Sequence, residues 1–398
     1  MTTILIQPRD PLIVRDGRPF TADPGARARS LGFPMPSTIV GVLRTIAGSD
    51  VAGHFVKSSQ SDLATLLQEV TLRGPLLAEM AENQWQLLAP APADALGLAE
   101  LGEDGLPALD ADKKPLIGLR CLEPISTTAL TDLQSGLALV GLQMADSKAK
   151  PAKLAKYWHW EKFRAWLMTK EKNLNPKTLG HDGPTFESRT HVSINHDSQT
   201  AQNGALFQTQ GLEFRNHHND GSIRELALLL ETTAKILPQL RSLGGERRLM
   251  HFQTGAPALP DIPAGLLEQV TKDKACRIVL LTPAIFDNGY LPLHTDFIWQ
   301  EVSRDDLQVR IKAVVNQRYQ TISGWDFAVG KPKSTRRVMP AGSVFFVSLE
   351  TQAPETIQDW LKTIWLHNHS DQPQDNRDGF GLMAVGTWNG QIQTMVVS

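Results

Sequence analysis

Strand-forming and helix-forming stretches alternate along this chain in two separate series, and the second begins afresh at Cys276. One uninterrupted βαβαβα run would build a single doubly wound sheet; here single helices fall between groups of strands, which predicts two α+β domains. A length of 398 residues agrees, because it exceeds what one hydrophobic core holds. The first series predicts strands over Thr3 to Gln7 and Pro11 to Val14, with a hairpin turn at Asp16-Gly17. An arginine-bearing loop, residues 23–30, then leads to a helix at Pro36-Ser37-Thr38, N-capped by Ser37, with Ile39, Val40, Leu43 and Ile46 as its apolar face. A helix over Ser61 to Gln68 and strands over Val70 to Leu77 and Trp85 to Leu88 follow, then an irregular insertion over residues 89–115. Strands are expected at Glu187 to Asn195, Ala205 to Phe214 and Glu225 to Glu231. A helix over Thr232 to Leu243, ended by Gly244-Gly245, should follow. The Pro/Ala/Gly-rich segment 254–275 reads as a linker holding one short helix, which divides the chain into domains at 1–253 and 276–398. Strands over Arg277 to Leu281, Val309 to Val315, Val344 to Leu349 and Met383 to Trp388, with a helix over Pro354 to His367, make the second series.

Charge narrows the function. The net charge is −2, whereas a free-standing nucleic-acid binder carries a clear positive excess. Any nucleic-acid site must therefore gather its cations locally and share the binding with partners. Cys121 and Cys276 form no CxxC pair, which argues against a disulfide framework and a cysteine-based zinc site. The opening MTTILIQPRD has no basic segment before an apolar run, and no stretch approaches the roughly 18 apolar residues of a membrane helix, so a soluble cytoplasmic protein is expected.

Several clusters could carry binding. Lys331, Lys333, Arg336 and Arg337 fall within seven positions with no acid among them, just after Trp325. Stacking plus phosphate contact is the recipe for single strands, and a solvated hairpin tip is the plainer alternative. Arg247 and Arg248 follow Gly244-Gly245, where forked guanidinium groups could clamp phosphate. Gly379 and Gly381 stand in a glycine-rich loop before the last strand; it matches neither a dinucleotide fingerprint nor a P-loop, and by itself reads as a tight turn. Lys148 to Lys172 holds eight Lys or Arg against two Glu, interleaved with Tyr157, Trp158, Trp160, Phe163 and Trp166. That basic aromatic helix suits a partner or nucleic-acid surface, and equally a core helix with solvated lysines. Among the histidines, His181, His196 and the pair His217-His218 show no metal-ligand spacing. Arg189 with His191 could serve a metal-independent ribonuclease as charge stabiliser and acid. No nucleophile motif or cofactor fingerprint occurs, and the sequence argues for binding rather than catalysis.

An ordered set of segments resembles one family. It comprises Arg15-Asp16-Gly17-Arg18-Pro19-Phe20, then Phe33 to Thr45, Arg189-Thr190-His191-Val192 and Leu243-Gly244-Gly245-Glu246-Arg247. Gly204-Ala205-Leu206-Phe207, Leu281-Thr282-Pro283-Ala284 with Gly289-Tyr290-Leu291-Pro292, Ile322-Ser323-Gly324-Trp325-Asp326 with the Lys331 to Pro340 segment, and the closing glycine loop complete it. The set is similar to the third subunits of Cmr-type (type III-B) CRISPR effector complexes, in the repeat-associated mysterious protein superfamily. The resemblance implies two ferredoxin-like, RNA-recognition-type domains. It also implies a non-catalytic subunit that grips the repeat-derived 5′ tag of the guide RNA (crRNA) and docks a large polymerase-like subunit and a backbone subunit. Target RNA would be met only indirectly. On this reading Arg189, His191, Arg247, Arg248, Lys331, Lys333, Arg336 and Arg337 face phosphates and Trp325 stacks a base. Arg27, Arg29 and the N-terminus of the Ser37 helix stand close by, and Gly379 and Gly381 belong to the closing loop. This chain departs from the superfamily in lacking a basic residue after those glycines. Two rival readings are a guide-RNA-processing ribonuclease with His191 as acid, and a protein–protein adaptor docking through the 148–172 helix.

Overall fold

In Thr2–Pro8 the apolar residues run consecutively: Ile4 and Ile6 point to one side, Leu5 to the other, and all three are buried. A strand apolar on both faces must be covered on both, which places it inside a layered structure. The computed structural model describes the chain apart from residues 16–26, 29, 58, 103–105, 110–114, 116, 127–130, 144–148, 170–173, 219–220, 327–330 and 396–398, and the side chains of 27–28, 202–205, 325–326 and 332. The fold is mixed α/β, mostly strands with few helices, in several sheets.

In chain order the first series supplies β1 (Thr2–Pro8), α1 (Pro36–Ala47), α2 (Gln60–Glu69), β2 (Leu72–Ala81), β3 (Gln84–Pro90), β4 (Tyr157–His159) and α3 (Trp160–Thr169). It continues with β5 (Gly180–His181), β6 (Thr185–Ile194), β7 (Ala201–Glu213), β8 (Arg215–His217), β9 (Ile223–Thr232), β10 (Gln239–Ser242) and β11 (Leu249–Thr254). Its large sheet has the order β5-β4-β3-β2-β9-β1-β11-β10, with β8 beside β9. The second series supplies α4 (Leu266–Asp273), β12 (Ala275–Leu280), β13 (Gln308–Val315), β14 (Val344–Glu350), α5 (Pro354–Ile364) and β15 (Met383–Thr387). Its sheet places β13-β14-β12-β15 side by side. In both sheets four core strands stand in the order second, third, first, fourth along the chain, and every neighbouring pair is antiparallel.

Two cores follow from the strand alternation. Ile4, Ile6, Leu77, Leu228 and Leu230 face α1, meeting Ile39, Val40 and Leu43. Leu5, Leu76, Ala78, Ala227 and Leu229 face the other way, into one continuous core with the second sheet and α3. At its centre Arg277, on β12, is fully buried and pairs with Asp94, also fully buried. The same guanidinium reaches the Trp166 carbonyl, and the Trp166 indole donates to Asp94 at 2.9 Å. The first series, α3 and the second sheet thus meet on one ion pair.

Four expectations are corrected. The helix expected over Thr232 to Leu243 is absent; Pro238, which lacks an amide donor, interrupts it, and Gln239–Ser242 pairs as an edge strand with β11. The segment read as a linker holds its expected short helix, α4, but that helix is part of the core, with Leu266 and Val270 fully buried against the second sheet. In the 89–115 insertion, Ala95–Glu100 is a strand between Ile117–Cys121 and Ala149–Ala152. The helix read over 148–172 is shorter, Trp160–Thr169, and Trp158, Phe163 and Trp166 lie in the core rather than on a surface.

The closing glycines are packing elements. Gly381 has φ +80°, and a Cβ there would overlap the His369 carbonyl. Replacing Gly381 by Ala should lower stability by about 3 kcal/mol, read from the urea midpoint. Gly41→Ala on the open face of α1, where nothing lies within 4 Å, should instead leave stability level or raise it by about 0.5–1 kcal/mol.

Candidate nucleic-acid interface

β6 and β7 form a long two-stranded ribbon that leaves the sheet, the side chains of β6 largely exposed. Residues two apart on a strand share a face, so Arg189 and His191 stand together. Arg189 is opposite Thr209 and donates from Nε to Glu187 Oε1 at 2.5 Å. His191 Nε2 is 2.8 Å from Thr209 Oγ1, and its ring stacks on Phe207 at 5.1 Å. The backbone of Arg27 pairs in parallel with Gln208 of the same ribbon; its side chain lies outside the described residues, as does Arg29 altogether.

The turn at Gly244-Gly245 brings the second arginine group to this spot. Gly244 has φ +76°, a conformation that suits glycine, and a Cβ there would overlap the Ile13 carbonyl. Gly245 donates its amide to that same oxygen at 2.7 Å. Arg248 then lines a shallow cleft with Arg189, Glu187, Thr209, Ile13 and Gly211. Glu246 pairs with Arg248 at 2.8 Å and stands 4.0 Å from Arg15. Arginines from three distant segments thus surround two glutamates, with Arg247 exposed beside them.

The second cluster is a hairpin in which Gln320–Ile322 pairs with Arg336–Val338 and Trp325–Asp326 with Lys331–Pro332. Lys331 and Lys333 are exposed, and the Trp325 side chain lies outside the described residues. Arg336 donates to Asp375 at 2.7 Å, beside the Phe380 ring at 6.0 Å. Burial pushes the Asp375 carboxyl up, and Arg336 opposes that shift. Arg337 is placed differently: its guanidinium lies over the Tyr319 ring at 4.7 Å. Arg337 and Tyr319 line a cleft of about 530 Å³ together with Tyr290, Arg318, Asn288, Asn316, Val314 and Met339. This combination of aromatic rings, side-chain amides and two guanidinium groups suits a flat heterocycle carrying negative charge. Tyr319 and Arg318 escaped the sequence reading because a single Tyr or Arg before a strand carries no motif. Tyr290 stood in a quoted segment without an assigned role.

Residues 30–36 join the clusters. Ser30 Oγ donates to the Gln210 carbonyl of β7 at 2.5 Å, while Met35 packs on Ile322 and Val338 at the hairpin base. Five residues span at most about 18 Å, which bounds the separation of these two anchoring points. Ser37 does not cap its helix. Pro36 occupies the first helical turn, Met35 is the N-cap, and no side-chain cap bond forms. Gly379 and Gly381 are buried with both amides donated inside the chain, to the Asn376 and Pro283 carbonyls, so neither is offered to a phosphate. Among the described residues no group of three or more His, Cys, Asp or Glu could hold a metal ion, and no helix is long and apolar enough to cross a membrane.

Comparison with known proteins supplies a family. The model described as "CRISPR-associated protein (Cas_Cmr3)" matches residues 4–388. No curated protein matches. Two of the similar solved structures are chains of a Type III-B Cmr-beta complex bound to cognate target RNA. One, with AMPPnP also bound, is 18% identical with a TM-score of 0.43, and the match covers 86% of each chain. The other is 17% identical with a TM-score of 0.47 and the same 86% coverage of both.

Proposed function

This chain belongs to the Cas_Cmr3 family of CRISPR-associated proteins, and we propose that as a subunit of a type III-B Cmr effector it binds the repeat-derived 5′ tag of the crRNA. It acts as a structural component rather than an enzyme, in the cytoplasm, and docks the large polymerase-like subunit to the backbone. Each domain is ferredoxin-like on this reading, which the strand order shared by the two sheets supports. One observation carries the RNA assignment. In a chain of net charge −2, Arg189 and Arg248 from distant segments converge on one cleft, and Arg337 lies over Tyr319 in another. The first spot suits backbone phosphates and the second a splayed base with its phosphate.

The test is copurification of the tagged chain from its native cell, followed by sequencing of the bound RNA. Guide RNAs with a common 5′ tag, together with a large polymerase-like subunit, are the expected yield. Protein free of RNA and of such partners would overturn the proposal. For the cleft, Tyr319→Ala should weaken tag binding by about 1–3 kcal/mol, roughly 5- to 150-fold, with Tyr319→Phe close to the parent. Fluorescence anisotropy with labelled tag RNA reads that difference.

A further inference from the structure

The β6–β7 ribbon leaves the sheet at His181–Thr185 and returns at Glu213–His217, and one buried carboxylate holds both roots. Glu79, on β2, is 3% exposed. From the outgoing root, His181 Nε2 lies 3.2 Å from Glu79 Oε2. From the turn after the incoming root, His218 Nε2 lies 3.4 Å from Glu79 Oε1, and Arg224 Nε donates to the same oxygen at 3.1 Å. Asn216 joins the roots directly, donating to the Gly183 carbonyl at 3.1 Å, and Arg224 Nη1 reaches Asn216 Oδ1 at 3.5 Å. His159, on β4, contributes Nδ1 at 3.9 Å from Glu79 Oε2.

The donors fix the tautomers. Gly183 donates its amide to His181 Nδ1 at 3.0 Å, so the proton of neutral His181 sits on Nε2 and points at Glu79. Arg224 Nη2 lies 3.1 Å from His218 Nδ1; a guanidinium only donates, so that nitrogen accepts and Nε2–H again faces Glu79. Each ring therefore bridges the carboxylate to a second group through a nitrogen that must remain unprotonated. A proton on His181 Nδ1 would face the Gly183 N–H, donor against donor. A proton on His218 Nδ1 would face the Arg224 guanidinium, cation against cation. Added charge also gains attraction to Glu79, but that single carboxylate is already shared with Arg224, and two imidazolium groups would set three cations around it.

We propose that Glu79, His181, His218 and Arg224 form an acid-releasable clasp that fixes the direction of the β6–β7 arm. Neighbouring charges fit this sense of response. Burial pushes the Glu79 carboxyl up, but the His181 hydrogen bond and the Arg224 guanidinium outweigh it and hold the group at about 2, so it stays ionised across the working range. Burial holds the His159 imidazole below its ordinary range; its neutral form belongs to the folded state and is lost as pH falls. Among the described residues, the charges nearby include Glu161 on α3, which favours a protonated His159, and Asp182, paired with Lys153. Arg27 pairs with Gln208 and Leu12 with Leu212, so release at the root is felt in the stretch beyond them, where His191 to Ile194 extends about 13 Å. The clasp is independent of what the arm touches and is tested without RNA.

The experiment is a spin-label distance measurement on the full chain. Labels are placed at the arm by His196→Cys and on α5 by Lys362→Cys, with Cys121→Ser to remove the half-buried native thiol. The parent should give one narrow distance distribution at about pH 8 and a broad one at about pH 5.5. The pair His181→Gln and His218→Gln, which keeps an amide donor and acceptor but cannot titrate, should remove that pH response. Glu79→Gln should broaden the distribution at both pH values. A parent distribution unchanged between the two pH values overturns the proposal, and so does an undiminished response in the double glutamine variant.

Discussion

Arg277→Met should lower the stability of the folded chain by about 3–5 kcal/mol, moving the urea midpoint while leaving the slope nearly constant. The substitution strands Asp94, whose side chain is fully buried and loses its cation. The Trp166 carbonyl loses a donor in the same step. Removing one member of a buried pair leaves an uncompensated charge, which costs far more than the pair itself contributes. Asp94→Leu made together with Arg277→Met should therefore recover much of the loss, because two apolar side chains replace two charges in a dry site. Arg310→Met is the contrast. That guanidinium also meets two carboxylates, Glu350 and Asp296, but on the surface, where its loss should cost less than about 1 kcal/mol. Equal costs for Arg277→Met and Arg310→Met would remove Arg277 from the centre of the core.

Arg189, Arg248 and Arg337, changed together to Ala, should flatten the salt dependence of tag RNA binding. Each lost phosphate contact on a single strand takes about 0.7 from the log–log slope, so the triple variant should fall by about 2. Affinity should drop most at low salt. Lys362→Ala, an exposed cation on α5, serves as the charge control and should leave the slope in place. Arg336 is left out because its partner Asp375 is buried, so its loss would also strand a carboxylate in the fold and cost stability. An unchanged slope in the triple variant would sink the assignment of these three residues to phosphates.

Local signals were legible where one segment makes its own structure. The strands at Thr3, Glu187, Val309 and Val344 stand where their apolar and β-branched residues predict them, as does the helix after Pro354. Arg189, His191 and the Arg247–Arg248 pair were each singled out separately; their convergence depends on the Gly244-Gly245 turn against Ile13, a contact across the chain. Arg277 opens a strand the sequence predicts, but nothing local marks it as buried, and its partner stands 183 positions away. The helix expected over Thr232 to Leu243 failed because its apolar spacing ignored Pro238, and the Ser37 cap because the helix starts at Pro36, two residues earlier than a Ser37 cap requires. In the 148–172 segment, basic and aromatic residues looked alike whether meant for a partner or a core, and packing against the second sheet decided it.

The single core between the two sheets has a consequence for synthesis. Leu5, Leu76, Ala78, Ala227 and Leu229 all belong to the part of the chain made first, and the second sheet, which covers them together with α3, belongs to the part made last. Translation at about 5–20 residues per second leaves that apolar face uncovered for roughly 7–30 s while residues 255–398 emerge. A nascent chain in that state presents a broad apolar sheet face, the kind of surface that holding chaperones bind and that aggregates when they are scarce. Severing the gene near residue 260 should accordingly yield two insoluble pieces when each is made alone, and a soluble protein when both are made in the same cell.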